Sequence, residues 1–266
     1  MKCVVISLIV VDASDKLIMF VALFRYFMVS KTSAIVLHVT PYSDVASILA
    51  VYSLENGRCA YFVRGSKKRR SPFKNAFFQP LSLVEMDVIH QQGKTIHQIR
   101  DVHMVHPLVN LSSNPIKNAI ALFIAELLYK TLRNEESQPM LYSFLENSIL
   151  QLDLCEEGIP NFHLVFMVKL SRYLGFEASA NQEGCKYFDL QHGIFTNSCP
   201  PSHYIQPDVC ATFSDLLERG YHDAHLLVLS RTRRVELLGV LMEFYQLHIP
   251  EFKGLQSLSV LKSLFY

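Results

Sequence analysis

The hydrophobic pattern of this 266-residue chain changes its period once, near Ser113, and that change limits the folds open to it. Before Ser113, short apolar and β-branched segments alternate with turn residues, which is typical of β-strands. After Ser113, apolar residues recur every three or four positions, which is typical of amphipathic helices. Because strands precede helices instead of alternating with them, the pattern predicts an α+β multidomain protein, with a β-domain followed by an all-α helical domain.

The first domain, predicted over residues 30–110, contains five predicted strands. They cover residues 34–39, 45–52, 59–64, 79–89 and 94–102. Residues 40–44 are turn formers, and Asn56 with Gly57 is a strong hairpin signal between the second and third strands. Five short strands with a long loop after the third favour a closed barrel of the OB-fold type. An SH3-like barrel fits the strand count equally well.

The second domain is predicted over residues 111–266. Its first helix begins at Asn114 and Pro115, because an Asn side chain caps free backbone N–H groups and proline is tolerated at the first helical position. Pro160 and Asn161 precede a later helix and Gly175 ends it. The other predicted helices cover residues 141–152, 209–217 and 233–248. An irregular insert at 184–203 carries a predicted hairpin.

Residues 1–29 are predicted to be an extension ahead of the barrel. Their apolar runs, 3–11 and 17–24, are shorter than the roughly 18 residues of a membrane span, and charged residues interrupt them. We interpret Met28 as the true start, with the preceding residues an upstream extension or a poorly ordered tail. A signal peptide or membrane anchor is the alternative.

A cluster of positive charge follows the third predicted strand. The chain has 25 basic and 24 acidic residues, so net charge points to no partner, but seven basic and no acidic residues fall between Arg58 and Lys74. Phosphates attract such a cluster, and bases stack on aromatic rings. The predicted DNA-binding residues are Arg58, Arg64, Lys67, Lys68, Arg69, Arg70, Phe73 and Lys74. The alternatives are a solvated loop, barrel-core positions for Phe73, Phe77 and Phe78, and a nuclear-localisation signal.

The cysteines and histidines form no recognised metal or catalytic motif. Cys185, His192, Cys199 and His203 have the pattern C-x6-H-x6-C-x3-H, and only the last two are as close as paired zinc ligands usually are. Phosphate-binding and nucleophile motifs are absent from the sequence. We expect no metal, no cofactor and no enzymatic activity, and a reducing cytoplasm. A metal-dependent hydrolase is the alternative from another functional class.

Several segments, taken in order, resemble the bacterial RecO recombination mediator family. In the first domain they are residues 33–39 (SAIVLHV), 42–49, 61–71 (YFVRGSKKRRS) and 79–81. In the second they are residues 124–132 (IAELLYKTL), 141–145, 162–176 and 255–264. Many members carry two C-x-x-C pairs around a Tyr-Phe-Asp tract. Here Tyr187, Phe188 and Asp189 are present with the isolated Cys185 and Cys199, which puts the family's zinc in doubt.

The resemblance implies an OB-fold joined to a helical domain, no catalytic site, and a cytoplasmic, nucleoid-associated role in recombinational DNA repair. It implies binding of single- and double-stranded DNA, strand annealing, and action with RecR to load the recombinase RecA onto DNA coated with single-strand-binding protein. An OB-type RNA-binding protein serving translation or the ribosome is the second interpretation.

The resemblance also implies that the helical domain receives the acidic and apolar C-terminal tail of single-strand-binding protein. Such a ligand needs an apolar slot with cations at its rim. The residues predicted to bind the tail are Phe162, Phe166, Lys169 and Arg172. The alternative is that Lys169 and Arg172 are ordinary solvated residues on the outer face of a helix.

Overall fold

The computed structural model describes residues 29–44, 46–64, 75–90, 93–133, 136–181 and 184–265. The predicted N-terminal extension lies almost wholly outside these ranges. The first five strands are β1 (Val29–Ser43), β2 (Ala46–Ser53), β3 (Gly57–Arg64), β4 (Leu83–Ile89) and β5 (Ile96–Met104). No helix within the described ranges has the length and apolarity that crossing a membrane requires.

The helical region begins with α1 (Val109–Ser113), α2 (Pro115–Thr131), α3 (Pro139–Leu154) and α4 (Phe162–Tyr173). A small sheet follows, formed by β6 (Tyr187–Asp189), β7 (Ile194–Thr196) and β8 (Tyr204–Ile205) in the order β7-β6-β8. The chain ends with α5 (Pro207–Glu218), α6 (Arg231–His248) and α7 (Leu258–Phe265). The predicted hairpin of the insert is therefore present, as β6 and β7. The predicted domain boundary at residues 110 and 111 falls inside α1, and we propose to place it between Met104 and Val109.

The first five strands close into a barrel in the order β1-β2-β3-β5-β4. β1 pairs antiparallel with both β2 and β4, whereas β3 and β5 run parallel. This is the strand arrangement of an OB-fold, so the predicted fold class is confirmed and the SH3-like alternative is wrong. The hairpin predicted at Asn56 and Gly57 joins β2 to β3, and Gly57 has the left-handed φ of 63° that favours glycine.

The turn predicted over residues 40–44 is mostly wrong, because β1 continues through it. Thr40 pairs with Ile48, and Pro41 pairs with Ser47. The ladder shifts register directly after Pro41. A proline is tolerated at this position because an irregular ladder does not need its missing N–H group.

The ends of the helices follow their local signals. Asn114 caps α2, where its Oδ1 accepts hydrogen bonds from the backbone N of Ile116 at 2.9 Å and of Lys117 at 3.3 Å. After α4, the N–H of Gly175 donates to Arg172 O and that of Phe176 donates to Ser171 O. This is the Schellman pattern, and Gly175 supplies its left-handed residue with a φ of 85°.

One apolar core joins the outer face of the barrel to the helices. Ile35, Leu37 and Tyr52 are buried in the same cluster as Ile120 and Phe123 of α2. The interior of the barrel forms a separate core. The hydroxyl of Tyr52 donates to the carbonyl of Glu136 and accepts from the backbone N–H of Gln138, each at 3.2 Å. The barrel and the helices are therefore packed as one body.

A histidine is fully buried within the helical core. Burial, together with the charge of Arg234, lowers the pKa of His163 to about 3. Arg234 is held in place by Asn161, whose Oδ1 accepts from Arg234 Nε at 3.0 Å. The Nδ2 group of Asn161 donates in turn to the carbonyls of Ala224 and Leu227. His163 is consequently neutral in the folded protein at neutral pH.

We expect acid to destabilise the protein through His163. Its pKa in the folded state lies below the ordinary value of 6.5, so the unfolded chain binds the proton first as pH falls. The stability present above pH 6.5 is then lost by about 1.4 kcal/mol per pH unit as pH decreases towards the folded pKa. His163→Phe should therefore give a shallower dependence of the free energy of unfolding on pH, measured by urea denaturation between pH 7 and pH 5.

His225→Phe is the matched control, because His225 is exposed. Its pH dependence should follow that of the unchanged protein. If His163→Phe does not fold, His163→Gln provides a second uncharged side chain. If the free energy of unfolding depends on pH equally in the His163 variants and in the unchanged protein, His163 is not the source of the acid sensitivity.

Candidate nucleic-acid interface

The predicted DNA-binding segment is only partly described by the structure. Lys67, Lys68, Arg69, Arg70, Phe73 and Lys74 lie outside the described residues, so their role stays a prediction. The segment follows Arg64 at the end of β3 and leads to a short 3₁₀ helix, Asn75–Phe78. Phe77 and Phe78 pack against the interior core of the barrel, as the core alternative for the aromatic residues predicted. Both ends of the basic segment are therefore anchored on the barrel.

The two described arginines of the predicted site have different environments. Arg64 is exposed at the end of β3. Arg58 is at the start of the same strand, where its guanidinium lies 4.8 Å from the centroid of the Tyr129 ring and Nη1 donates to Cys59 O. Burial lowers the pKa of Arg58. This position favours a structural role for Arg58 between the barrel and α2, over the DNA contact predicted from the sequence.

Two aromatic residues on the barrel surface were missed by the sequence analysis. The ring of Tyr42, at the end of β1, meets the ring of Phe62 edge-on, with centroids 5.7 Å apart and planes at 81°. Tyr42 is 67% exposed. Aromatic residues are common in strands, so their presence alone carries no signal. Only the alternation along β3, in which Tyr61 and Val63 are buried, indicates that Phe62 points outward.

The four residues predicted to bind a protein tail do not form one surface. Phe162 and Phe166 are 2% and 0% exposed, so the prediction that they line a slot is wrong. They belong to the central core because the apolar face of α4 is packed inside the helical region. Arg172 is exposed, and its Nε lies 3.6 Å from Oε2 of Glu177. Of the four, Lys169 lines a pocket.

That pocket, of about 640 Å³, lies between α3, α4 and the turn after α5. Its apolar lining includes Met140, which is 78% exposed, and the rings of Phe144, Tyr173 and Tyr221. Lys169 Nζ lies 5.8 Å from the centroid of the Tyr221 ring. None of the described residues that line the pocket is acidic. We call this the α3–α4 pocket.

The two buried phenylalanines support the α3–α4 pocket from behind. The ring of Phe166 stacks on Phe144 at 5.6 Å, and Phe144 stacks in turn on Tyr173 at 4.6 Å. The ring of Phe162 stacks on Tyr221 at 4.5 Å, with an angle of 9° between the planes. Phe162 and Phe166 are thus one layer below the surface that a ligand would touch.

The two histidines among the candidate zinc ligands contact carboxylates. His192 Nδ1 lies 2.8 Å from Asp189 Oδ2, and His203 Nδ1 lies 2.7 Å from Glu243 Oε1. The backbone N–H of Cys185 donates to Asn181 Oδ1. Within the described part of the chain, no three His, Cys, Asp or Glu side chains are placed to share a metal ion.

Comparison with known proteins assigns both halves of the chain. Residues 28–108 match the family model of the recombination protein O N terminal, and residues 112–257 match that of the recombination protein O C terminal.

The chain belongs to the RecO family.

A protein of Bacteroides fragilis named DNA repair protein RecO is 37% identical to it over 241 residues, which cover 90% of this chain and 100% of that protein. Relatives with the same name occur in Phocaeicola vulgatus, 37% identical over 242 residues, and in Azobacteroides pseudotrichonymphae, 36% identical over 241 residues; both show the same coverage.

Membership of the RecO family confirms the resemblance seen in the sequence. The two family models meet between residues 108 and 112, where α1 begins. The Tyr-Phe-Asp tract between the isolated Cys185 and Cys199 forms strand β6.

We expect this RecO-family protein to fold without zinc. A structural zinc ion contributes its binding energy to folding, so a chelator would unfold a protein that depends on it. EDTA should leave the melting temperature unchanged. The variants Cys185→Ser and Cys199→Ser should have the same melting temperature as the unchanged protein. Cys210→Ser is the control for sensitivity, because Cys210 is buried and should lose stability. Loss of structure with EDTA, or about one zinc ion per chain by metal analysis, would refute the prediction.

Proposed function

We propose that this protein is a DNA-binding recombination mediator in DNA repair, which binds single- and double-stranded DNA, anneals complementary strands and assists recombinase loading. The observation that carries the proposal is an OB barrel, in a RecO-family chain, with a strongly basic segment anchored on it at both ends. The relatives named above support the DNA repair role by their names.

The charge of the segment supports the proposed binding to DNA. Between Arg64 and Lys74 there are six basic and no acidic residues among eleven positions. Cations bind phosphates by releasing condensed counterions, and this attraction does not depend on base sequence. A mediator needs this property, because it has to act wherever single strands are exposed. Annealing follows the same logic, since neutralised phosphates allow two strands to approach each other.

We propose that the protein works as a binding protein without catalysis or a cofactor, in the cytoplasm and associated with the nucleoid. RecR is a proposed partner on the basis of the family. An RNA-binding role remains compatible with an OB barrel, but the family assignment favours DNA. Binding of single-stranded DNA and RNA of matched sequence, titrated with salt, distinguishes the two.

Charge reversal of Lys67, Lys68, Arg69 and Arg70 to Glu should weaken DNA binding at least ten-fold. It should also flatten the dependence of log K on log salt, because each lost phosphate contact removes about 0.9 from the slope on duplex DNA and about 0.7 on single strands. Fluorescence anisotropy at several salt concentrations measures both quantities.

A control variant reverses the same number of charges elsewhere. Its four sites are exposed basic residues of the helical region: Arg133, Arg172, Lys253 and Lys262. This variant has the same net charge but should bind DNA much more tightly than the segment variant. Equal losses in the two variants would show that net charge, and not the basic segment, governs affinity.

We further propose that the α3–α4 pocket receives the acidic and apolar C-terminal tail of single-strand-binding protein. Its aromatic floor, with Met140 exposed at the edge, suits the apolar end of the tail. Lys169 supplies a cation, and the absence of acidic side chains among the described lining residues favours an acidic ligand.

Lys169→Ala should weaken binding of a synthetic tail peptide at least several-fold, because it removes the cation beside the apolar floor. Arg172→Ala is the matched control, since Arg172 is on the same helix but faces Glu177 and does not line the pocket. The control should bind the peptide normally, and both variants should retain DNA affinity. Isothermal titration calorimetry that gives Lys169→Ala and the unchanged protein the same peptide affinity would remove Lys169 from the site.

A further inference from the structure

Tyr42 exposes most of its ring on the barrel surface, and the half-buried ring of Phe62 lies against it. Tyr42 is 67% exposed, while Tyr52 and Tyr61 of the neighbouring strands are fully buried. The edge-on contact between Tyr42 and Phe62 fixes two rings at nearly right angles on the surface. Large aromatic side chains contribute most when they are covered, so an exposed tyrosine ring held against a second, half-buried ring indicates a surface that a ligand covers.

The register of the barrel fixes the direction in which these rings point. Thr40, Ile48, Phe62 and Gln98 occupy paired positions across β1, β2, β3 and β5. Val39, Leu49 and Tyr61, in the adjacent row, belong to the interior core. Since neighbouring residues of a strand point to opposite faces, the row of Phe62 is on the outside of the barrel. The ring of Phe62 is therefore not part of the barrel interior.

A cation is on the same face. Arg64 is two residues after Phe62 on β3 and is exposed. Two residues of a strand span roughly 6.6 Å, so the cation and the ring are within reach of a single nucleotide. Side chains in the row of Phe62 are uncharged, namely Thr40, Ile48 and Gln98. A cation beside an aromatic surface is the combination that single-stranded nucleic acid requires.

We propose that Tyr42 and Phe62 form a stacking platform for the unpaired bases of single-stranded DNA, with Arg64 binding a phosphate of the same strand. This inference rests on the proposed DNA-binding function and adds the base-contacting residues to it. In a duplex the faces of the bases are covered by their neighbours, so the platform acts on single strands. The cations give affinity for any DNA, and the two rings give the preference for single strands.

The test compares Tyr42→Ala and Phe62→Ala with the unchanged full-length protein on a single-stranded oligonucleotide, a duplex, and a single strand of abasic sites of equal length. Each variant should lose about five-fold or more in affinity for the single strand, and little for the duplex or the abasic strand. The salt slope should not change, because neither substitution removes a charge. Phe62→Tyr and Tyr42→Phe, which keep the rings, should restore binding.

Tyr187→Ala is the matched control. Tyr187 and Tyr204 form a similar edge-on pair, at 5.8 Å and 74°, in the small sheet of the helical region. This control should bind all three ligands normally. Melting temperatures check folding, and Tyr42→Ala keeps the test decisive if Phe62→Ala does not fold, because the Tyr42 side chain is mostly outside the core.

Unchanged single-strand affinity in folded Tyr42→Ala would overturn the platform while the DNA-binding function stands. Equal losses on the single strand and on the abasic strand would also overturn it, because bases would then not be involved. If the unchanged protein binds neither the single strand nor the duplex, the proposed function itself fails.

Discussion

The packing of β1 and Tyr52 against α2 is the contact on which the rest of the structure depends. Ile35 and Leu37 lie on the outer wall of the barrel and are buried only because the helices cover them. Each such side chain contributes about 1.5–3 kcal/mol when it is removed from water. The barrel therefore gains stability from the helices, and its outer wall and the helices that line the α3–α4 pocket are packed in one core.

The two proposed ligands are both polyanions. The two proposed surfaces differ in their side chains, and each suits one of the ligands better than the other. The barrel surface offers the exposed Arg64 beside the rings of Tyr42 and Phe62, which suit a chain of phosphates and flat bases. The α3–α4 pocket offers a single lysine above an aromatic floor. A phosphate backbone would gain little from that floor, whereas a peptide with an apolar end would bury it. No described residue is common to the two proposed surfaces, and we therefore propose that both ligands bind at once.

Features set by neighbours in sequence were predictable, and features set by distant contacts were not. Asn114, Gly175 and the Asn56–Gly57 turn act within a few residues, and the structure has them where the sequence placed them. Arg58 was counted among the DNA ligands because a charge count does not show that Tyr129 packs over it. Phe162 and Phe166 were assigned to a surface because periodicity gives the apolar face of a helix but not what covers it.

The pairing of β1 with β4, and of β3 with β5, has a kinetic consequence. The β1–β2 and β2–β3 hairpins form between neighbours in the chain, but the barrel closes only when β4 and β5 arrive. Pairing over such sequence separations is slow compared with helix formation, because the loop entropy is lost before the contacts form. A chain that is still being synthesised therefore carries two open strand edges until Ile96–Met104 has left the ribosome. Throughout that interval the nascent barrel is exposed to edge-to-edge aggregation.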